Sequence, residues 1–320
     1  MNDFNGKRVL VTGAGGFLGA RLVRALLEAQ ADVHCIVRET TNLWRIRDIH
    51  AHLQLHYADL RDFDALHKAI HTASPEVLYH MAIEGVPPES RNSWSIVTTN
   101  TLGTCHLLQV LSGRAFEKLI HLGGASEYGP KPSLISETES LEPVTVYGAA
   151  KGASTLLCQQ FSRAERRPVV ILRPFSIYGP GERPGRLIST LMLAALRDEE
   201  VSLTPLGFGR DFVFVDDVVD ACLRASLEKQ TDREIINVGS GEHHSNVEVA
   251  QTLESLLKRP LRQNRRHYEP RPFDSKTGAA DITKASRLLG WEPEHSLREG
   301  LEKTLQWFRQ HVDEYPEGKP

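Results

Sequence analysis

Two side chains that can exchange a proton with a substrate, Tyr147 and Lys151, stand four residues apart in the segment Tyr-Gly-Ala-Ala-Lys. The segment opens a helical pattern, and residues at positions i and i+4 share one face of a helix. A free tyrosine has a pKa of about 10. A neighbouring ammonium stabilises the phenolate and lowers that pKa. The pair therefore predicts general acid–base chemistry by Tyr147, supported by Lys151.

A glycine-rich turn, Thr-Gly-Ala-Gly-Gly-Phe-Leu-Gly over residues 12–19, stands far upstream of this pair. In dinucleotide-binding turns, glycines at the positions of Gly13, Gly16 and Gly19 allow a tight turn, close approach to the pyrophosphate and close helix–strand packing. The pyrophosphate then lies at the N-terminus of the following helix, where free N–H groups and the helix dipole favour anions. A glycine pattern alone is weak, but together with Tyr147 and Lys151 it predicts a nicotinamide dinucleotide site.

The end of the second predicted strand decides between the two nicotinamide cofactors. NAD sites place Asp or Glu there to accept a hydrogen bond from the ribose 2′-hydroxyl, whereas a nearby Arg accommodates the 2′-phosphate of NADP. Here the acidic position holds Val37 and the next residue is Arg38, so NADP is the predicted cofactor. NAD stays the alternative, because Glu39 would supply the carboxylate if the strand ended later. Arg38 could also be an ordinary surface charge.

The elements that must position these residues alternate between short β-branched runs and longer helical patterns, which predicts an α/β, Rossmann-type doubly wound parallel sheet. We expect a dinucleotide-binding domain over 1–175, its sheet completed by parts of 211–240, and a smaller mixed α/β substrate lobe over 176–320. Predicted strands are Arg8–Thr12, Val33–Val37, Leu53–Tyr57, Val77–Met81, Leu119–Leu122 and Val169–Leu172. Predicted helices are Gly16–Ala29, Phe63–Ile70, Ile96–Leu111, Tyr147–Ser162, Val218–Leu227, Asn246–Leu257 and Leu297–His311.

Composition removes several classes of function. With 38 Lys+Arg against 41 Asp+Glu among 320 residues, the formal net charge of −3 gives no electrostatic footprint for nucleic acid. No apolar run is long enough for a membrane span, and the N-terminus lacks a signal-peptide pattern. The four cysteines stand in apolar patterns without a CxxC pair, which indicates reduced thiols and a cytoplasmic protein. The 14 histidines show no metal-ligand spacing, so no metal site is predicted.

The motifs together resemble the extended short-chain dehydrogenase/reductase family, in its nucleotide-sugar epimerase, dehydratase and ketoreductase branch. The resemblance covers nearly the whole chain. It rests on the segments over residues 12–19, 58–60, 80–82, 128–129, 173–174, 178–181, 210–217, 237–241 and 289–293, with Asn100, Gly103, Thr104, Tyr147 and Lys151.

The resemblance implies a role for particular residues. Tyr147 is similar to the general acid–base residue, and Lys151 to the residue that lowers its pKa and holds the nicotinamide ribose. The cofactor-contacting positions are Gly13, Gly16, Phe17, Leu18, Gly19, Arg38, Asp59, Leu60, Met81, Ala82, Pro174 and Ser176, with Tyr147 and Lys151. Arg210 and Arg271 resemble the arginines that hold the nucleotide-sugar diphosphate, as the bidentate guanidinium suits phosphate oxygens. Arg186 is a further diphosphate or sugar contact, or a surface charge.

One position departs from the family pattern. Relatives usually place Ser or Thr four residues before the Tyr of the Tyr128-Gly129 pair, where it hydrogen-bonds the substrate oxygen. This chain has Gly124 there. Ser126 carries the nearest hydroxyl, and we expect it to take the catalytic role. The alternative is that Ser126 is structural and that water or another group orients the sugar.

Three reactions share this scaffold. Dehydratases of the family use an adjacent Asp-Glu pair, but the matching positions here are Ala125 and Ser126, so dehydration is not expected. Reductases exchange NADPH at each turnover, whereas epimerases retain NAD. Arg38 therefore favours reduction of the 4-keto group of a nucleotide-linked 4-keto-6-deoxyhexose, with an NAD-dependent 4-epimerase as the alternative. A non-catalytic NADP-binding regulator is a second alternative, mildly favoured by Gly124 and opposed by Tyr147 and Lys151.

The resemblance also implies a homodimer. In relatives the helices corresponding to Ile96–Leu111 and Tyr147–Ser162 form an intersubunit four-helix bundle. Both segments carry apolar stripes here, although such stripes alone could equally belong to the core.

Overall fold

The computed structural model describes residues 3–85, 92–203, 207–264 and 277–315. Seven of its strands form one parallel sheet in the order β3-β2-β1-β4-β5-β6-β10. The strands are β1 (Arg8–Thr12), β2 (Asp32–Val37), β3 (Gln54–Tyr57), β4 (Val77–His80), β5 (Lys118–Leu122), β6 (Val169–Pro174), β7 (Ser176–Tyr178), β8 (Gly209–Arg210), β9 (Phe212–Phe214), β10 (Ile235–Val238) and β11 (His244–Ser245). The predicted doubly wound Rossmann-type sheet is confirmed.

Helices cover both faces of this sheet because right-handed crossovers between parallel strands place them there. The helices are α1 (Phe17–Glu28), α2 (Phe63–Ala73), α3 (Ser93–Val97), α4 (Gly103–Leu111), α5 (Val146–Glu165), α6 (Leu187–Arg197), α7 (Val215–Leu227), α8 (Asn246–Leu257), α9 (Thr283–Leu289) and α10 (Leu297–His311). None of the described helices is long and apolar enough to cross a membrane.

Alternation along β1 shows how the two faces are divided. Val9 and Val11 belong to a core beneath α1 and α7, whereas Leu10 belongs to a second core beneath α2, α4 and α5. Successive side chains of a strand point to opposite faces, so the continuous apolar run of β1 is what a strand buried on both faces requires. The winding of the chain reverses between β1 and β4, and ligands of such sheets bind beyond the carboxyl ends of the strands at that point.

Part of the chain after β6 belongs to the main sheet, and the rest packs around a third hydrophobic core. Strand β10 pairs with β6 and forms one edge of the sheet. Helices α6, α8 and α10 pack around a separate cluster that includes Met192, Leu253 and Phe308. Two short sheets, β7 with β9 and β8 with β11, join the two parts. A domain boundary at residue 175 stays a prediction.

Two helical features differ from the sequence prediction. The single helix expected over Ile96–Leu111 is α3, a π-helical turn over Thr98–Leu102, and α4. The Thr98 hydroxyl donates to the Trp94 carbonyl at 2.8 Å, which is the local competition that disturbs helical register. Helices α6 and α9 lie in segments where the sequence predicts no helix, and the Gly- and Pro-rich segment before α6 obscures its start.

Candidate active site

The glycine turn between β1 and α1 leaves no room for side chains at two of its glycines. Gly13 has a φ of +75°, and a Cβ there would lie 2.7 Å from the backbone nitrogen of Ala82. A Cβ on Gly19 would overlap the carbonyl oxygen of Gly13. The glycines therefore bring the turn against the end of β4 and α1 against the turn, as predicted.

The N-terminus of α1 can accept an anion. Gly16 is its N-cap residue, and Phe17 and Leu18 begin a first turn without an acidic side chain. The first N–H groups of a helix lack intrahelical partners, and the helix dipole adds positive potential at that end. Together with the crowded glycine turn, this donor set fits the pyrophosphate of a nicotinamide dinucleotide.

A hydrogen-bonded chain through His80 joins the ends of β1 and β4 below this turn. The Ala82 N–H donates to Thr12 Oγ1 at 3.2 Å, and Thr12 Oγ1 lies 2.8 Å from His80 Nδ1. Nε2 of the same imidazole lies 3.0 Å from Thr104 Oγ1, whose hydroxyl donates to the Asn100 carbonyl at 2.6 Å. The chain is satisfied when Nε2 carries the proton. Burial and the Lys151 ammonium lower the pKa of His80 to about 3, so the ring is neutral and structural.

Asn100 holds the segment that follows β4. Its side-chain amide donates to the Glu84 carbonyl at 2.9 Å, and its side-chain oxygen accepts from the Glu84 N–H at 2.9 Å. The paired bonds fix residues 81–84, which include the predicted cofactor contacts Met81 and Ala82. Met81 is buried.

Strand β2 ends where the sequence places it. Val37 is buried and is the last residue of β2, so Arg38 is the first residue beyond it. The Arg38 guanidinium is half-exposed and lies 3.9 Å from the Glu84 carboxylate. Glu39 is exposed in the following turn and does not occupy the strand end.

Asp59 and Leu60 follow β3 at the same edge of the sheet. Both carboxylate oxygens of Asp59 accept from the Arg61 guanidinium, at 2.9 and 2.6 Å. Arg61, with a smaller contribution from Arg38, holds the pKa of Asp59 below its usual range. Leu60 is buried, and a Cβ on Gly103 would lie 2.8 Å from its Cβ.

Tyr147 and Lys151 lie in the first turns of α5. The Thr145 side chain caps this helix by accepting from the Gly148 N–H at 3.0 Å. Lys151 is only 2% exposed, and its ammonium donates to the carbonyl oxygen of Leu122 at the end of β5. The predicted pair is therefore held against the carboxyl end of the sheet.

The protonation of this pair differs from the sequence expectation. Burial raises the pKa of Tyr147 to about 12, and the cation that opposes the rise is Arg186 rather than Lys151. Burial lowers the pKa of Lys151 to about 8, while Glu127 acts in the opposite direction. Lys151 is therefore not among the groups that lower the pKa of Tyr147, contrary to the expectation, and its ammonium donates to a backbone carbonyl instead. Tyr147 is a neutral phenol.

Ser126 lies beside this pair, in a short turn over Ala125–Glu127. A Cβ on Gly148 would overlap the Ser126 carbonyl oxygen, so glycine next to Tyr147 is what lets the two segments meet. The Ser126 hydroxyl oxygen is buried and has no hydrogen-bond partner among the described residues. A Cβ on Gly124 would lie 3.7 Å from that oxygen. The hydroxyl therefore lies next to the space into which a side chain at residue 124 would project.

Glu127 fixes the Ser126 turn from behind. Its fully buried carboxylate lies 2.8 Å from the Arg173 guanidinium and accepts from the Gly124 N–H at 2.9 Å and the Thr155 hydroxyl at 3.1 Å. Arg173 also donates to the Tyr128 hydroxyl at 2.9 Å. Glu127 faces away from the reaction site, as expected. The pairing of Glu127 with Arg173 was not predicted. The Arg173-Pro174 motif was the only signal in the sequence that pointed to Arg173, and it did not identify the partner.

The predicted substrate arginines lie in different environments. Arg186 is the N-cap residue of α6 and donates to the Glu182 carboxylate at 2.7 Å and to the Ile177 carbonyl at 3.4 Å. Its positive charge opposes the rise in the pKa of Tyr147 that burial causes. Arg210 lies in β8, opposite His244 of β11. Arg271 lies outside the described residues.

The remaining predicted cofactor contacts, Pro174 and Ser176, lie at the junction between β6 and β7. Pro174 ends β6, and the Ser176 N–H at the start of β7 donates to the Asp211 carbonyl at 2.9 Å. Within the described ranges, no cluster of three or more His, Cys, Asp or Glu side chains could hold a metal ion.

The doubly wound sheet, the glycine turn and the Tyr147–Lys151 pair define an extended short-chain dehydrogenase/reductase. The sequence model of the NAD dependent epimerase/dehydratase family matches residues 9–239, and the chain belongs to that family. The resemblance stated from the motifs is confirmed.

Relatives match over almost the whole length. The chain is 29% identical over 316 residues to UDP-glucuronate 4-epimerase of Thermodesulfobacterium geofontis, covering 95% of this chain and 97% of the relative. It is 30% identical to UDP-glucose 4-epimerase of Mycolicibacterium smegmatis, covering 94% and 98%. The crystal structure of Bacillus cereus UDP-glucuronic acid 4-epimerase with UDP-glucuronic acid and NAD superposes with a TM-score of 0.85 at 30% identity, covering 94% and 99%.

Proposed function

We propose that the protein is a nucleotide-sugar 4-epimerase that uses a nicotinamide dinucleotide to oxidise and re-reduce C4 of a nucleotide-linked hexose. The observation that carries the proposal is the meeting of a partly buried Tyr147, the buried Lys151 one helical turn away, and a Ser126 hydroxyl that has no partner among the described residues, at the carboxyl end of the sheet. The end-to-end similarity to UDP-sugar 4-epimerases supports this reaction over the 4-ketoreductase favoured by the sequence.

In this proposal each group acts on the oxygen at C4. When bound, the nicotinamide supplies hydride chemistry at the sugar carbon. The positive charge of a bound, oxidised nicotinamide would stabilise the phenolate form of Tyr147. In that form Tyr147 takes the hydroxyl proton during oxidation and returns it during reduction, which typically contributes about 10²–10⁴-fold. Ser126 donates its hydrogen bond to the same oxygen. Lys151 would hold the nicotinamide ribose, and its ammonium would add positive charge beside the phenol once it turned from the Leu122 carbonyl.

The three predicted substrate arginines indicate how the nucleotide sugar would be oriented. Arg186, whose guanidinium is held by the Glu182 carboxylate at the start of α6, contacts the sugar end. Arg210 and Arg271 hold the diphosphate, for which the bidentate guanidinium is well suited. Dehydration is disfavoured because Glu127, the carboxylate nearest to Ser126 in sequence, is buried and paired with Arg173.

A second candidate is the NADP-dependent reduction of a nucleotide-linked 4-keto-6-deoxyhexose. Arg38 favours it, because this guanidinium stands directly after β2, where a 2′-phosphate would be bound. The two reactions differ in their treatment of the cofactor. An epimerase retains its dinucleotide through turnover, whereas a reductase binds and releases it in each cycle.

The apolar surface of α3, the π-helical turn after it and α5 supports a homodimer. Trp94, Val97, Leu102 and Leu156 are exposed on these helices and the turn between them. Apolar side chains grouped on neighbouring helices are typical of an interface.

The test is an assay by proton NMR with UDP-glucose and UDP-glucuronic acid, after the retained dinucleotide has been extracted and identified. We expect interconversion of C4 epimers without net consumption of cofactor. Tyr147→Phe should lower the rate at least 100-fold and leave dinucleotide affinity within a few-fold of wild type. If the purified protein holds no dinucleotide and oxidises NADPH in the presence of a nucleotide-linked 4-keto-6-deoxy sugar, the reductase proposal replaces the epimerase proposal. If it binds a dinucleotide but turns over neither class of substrate, the non-catalytic regulator is the reading that stands.

A further inference from the structure

Arg45 joins two loops that belong to opposite parts of the fold. It lies in a single 3₁₀ turn, Trp44–Ile46, in the connection between β2 and β3. Its Nε donates to the carbonyl oxygen of Gly181 at 2.8 Å, and its Nη1 donates to the carbonyl oxygen of Gly15 at 3.4 Å. One side chain therefore holds the glycine turn and a loop that is 136 residues away in sequence.

The loop that contains Gly181 positions Arg186. Gly181 adopts a φ of +83°, and the neighbouring Glu182 is buried. The Glu182 carboxylate accepts from Arg186 Nε at 2.7 Å and from the Ser189 N–H at 3.1 Å. A displacement of the Gly181 carbonyl therefore moves the side chain that orients Arg186. We call residues 179–186 the Arg186 loop.

The backbone of Arg45 is hydrogen-bonded to α1, the helix that follows the glycine turn. The Arg24 side chain on α1 donates to the Arg45 carbonyl at 2.7 Å and pairs with Asp48 at 2.6 Å. The Arg45 guanidinium lies 4.4 Å above the Trp44 ring. It is partly buried and has no carboxylate partner among the described residues, so backbone carbonyls supply its hydrogen bonds.

A cavity of about 370 Å³ lies beside this side chain. Its lining includes Trp44, Arg47, Trp307 and His311. The guanidinium therefore borders open space as well as the two carbonyls to which it donates.

We propose that Arg45 couples dinucleotide binding at the glycine turn to ordering of the Arg186 loop. A dinucleotide on the amides of the turn restrains the Gly15 peptide and with it the carbonyl that Arg45 holds. The restrained guanidinium then fixes the Gly181 carbonyl. The sugar-binding role of Arg186 rests on the proposed function, but the coupling itself concerns only the dinucleotide and this loop. Coupling of this kind is reciprocal, so a ligand held by the loop also strengthens dinucleotide binding.

Hydrogen exchange by mass spectrometry tests the coupling on the full chain, with and without saturating NADH and, separately, NADPH. The reporter is a peptide that covers 179–190, in which the Glu182 amide donates to Gly179 O at 3.1 Å. In wild type we expect the better-binding dinucleotide to slow exchange of this peptide about tenfold, the size of effect expected for one charge-assisted hydrogen bond. In Arg45→Gln that slowing should disappear.

Two controls separate coupling from loosening of the loop. Arg47→Ala removes an exposed neighbour that pairs with Glu314, and it should leave the slowing unchanged. Tyr315→Phe removes a hydroxyl that donates to the Glu182 carbonyl at 2.8 Å, so exchange should be faster in both states while their ratio stays as in wild type. Arg45→Lys keeps the charge but one ammonium cannot span both carbonyls, and it provides the same test should the Gln variant fail to fold.

The proposal is overturned if the dinucleotide leaves the Arg186 loop unprotected in wild type, or if the Arg45 variants show the wild-type ratio. Neither result depends on sugar turnover. Failure of the epimerase and reductase assays would therefore remove the proposed function without deciding the coupling.

Discussion

Moving the Ser126 hydroxyl to residue 124 tests the least conventional feature of the site. Ser126→Ala removes a hydroxyl that has no hydrogen-bond partner among the described residues. A structural hydroxyl would normally be bonded, so its loss should matter to the substrate rather than to the fold. The double variant Gly124→Ser with Ser126→Ala then places a hydroxyl at the position that relatives usually use.

The structure sets the size of both effects. Removing one donor that stabilises a developing oxyanion costs about 10²–10³ in kcat, and Ser126→Ala should fall in the lower part of that range. Gly124 has a φ of 171°, an extended conformation that any residue adopts. Its added Cβ would meet only ordinary contacts, 3.7 Å to Ser126 Oγ and 3.9 Å to the Pro174 carbonyl. The Gly124→Ser hydroxyl can therefore reach the same space, and we expect the double variant to recover to within about tenfold of wild type.

The assay is kcat for C4 epimerisation, with dinucleotide affinity measured by calorimetry on the same samples. Dinucleotide affinity should stay within about twofold of wild type in every variant, because neither position bonds the cofactor turn. Gly124→Ala with Ser126→Ala is the matched control and should stay as slow as Ser126→Ala. Wild-type kcat in Ser126→Ala would refute the reasoning. Equal rates in the Ser and Ala double variants would show that residue 124 cannot supply the missing donor.

Three further predictions concern charge. Lys151→Met should stabilise the protein at pH 7 by up to roughly 3 kcal/mol, because burial lowers the pKa of Lys151 from 10.5 to about 8 and the unfolded chain binds that proton more strongly. The advantage over wild type should shrink as pH rises from 8 towards 10.5 in urea unfolding, and a constant difference would contradict it. Glu127→Gln should cost about 3–5 kcal/mol of unfolding free energy, since it leaves Arg173 buried without its counterion; a loss below 1 kcal/mol would exclude the pair as a structural element. Arg38→Ala should raise the Kd of NADPH at least tenfold and hardly change that of NADH, and equal effects in calorimetry would remove the 2′-phosphate assignment.

The parts of the site that follow from sequence are those fixed by local backbone crowding. Gly13 and Gly19 stand where a Cβ would meet other backbone atoms, so their spacing predicts the turn and the helix after it. Gly148 meets a similar steric demand between Tyr147 and Ser126, although the sequence pattern predicts no such role for it. A motif of this kind is informative because one residue type alone meets the steric demand.

Contacts between distant segments could not be predicted. Glu127 and Arg173 are 46 residues apart, and Arg45 and Gly181 are 136 apart, with no periodicity that relates either pair. The pKa of Tyr147 was expected to fall, but the burial that raises it is a property of the packed site rather than of the Tyr-x-x-x-Lys spacing.

The high pKa of Tyr147 bears on which half of the reaction the free site favours. A phenol with a pKa of about 12 readily gives a proton to a developing alkoxide, as sugar reduction requires. It is a poor base for sugar oxidation until nearby positive charge stabilises the phenolate. Retention of an oxidised dinucleotide would provide that charge permanently, and Lys151 would add to it if its ammonium turned from the Leu122 carbonyl to the nicotinamide ribose. The same side chains can therefore serve an epimerase that keeps NAD or a reductase that exchanges NADPH. Cofactor retention therefore separates the two proposed reactions more sharply than the catalytic residues do.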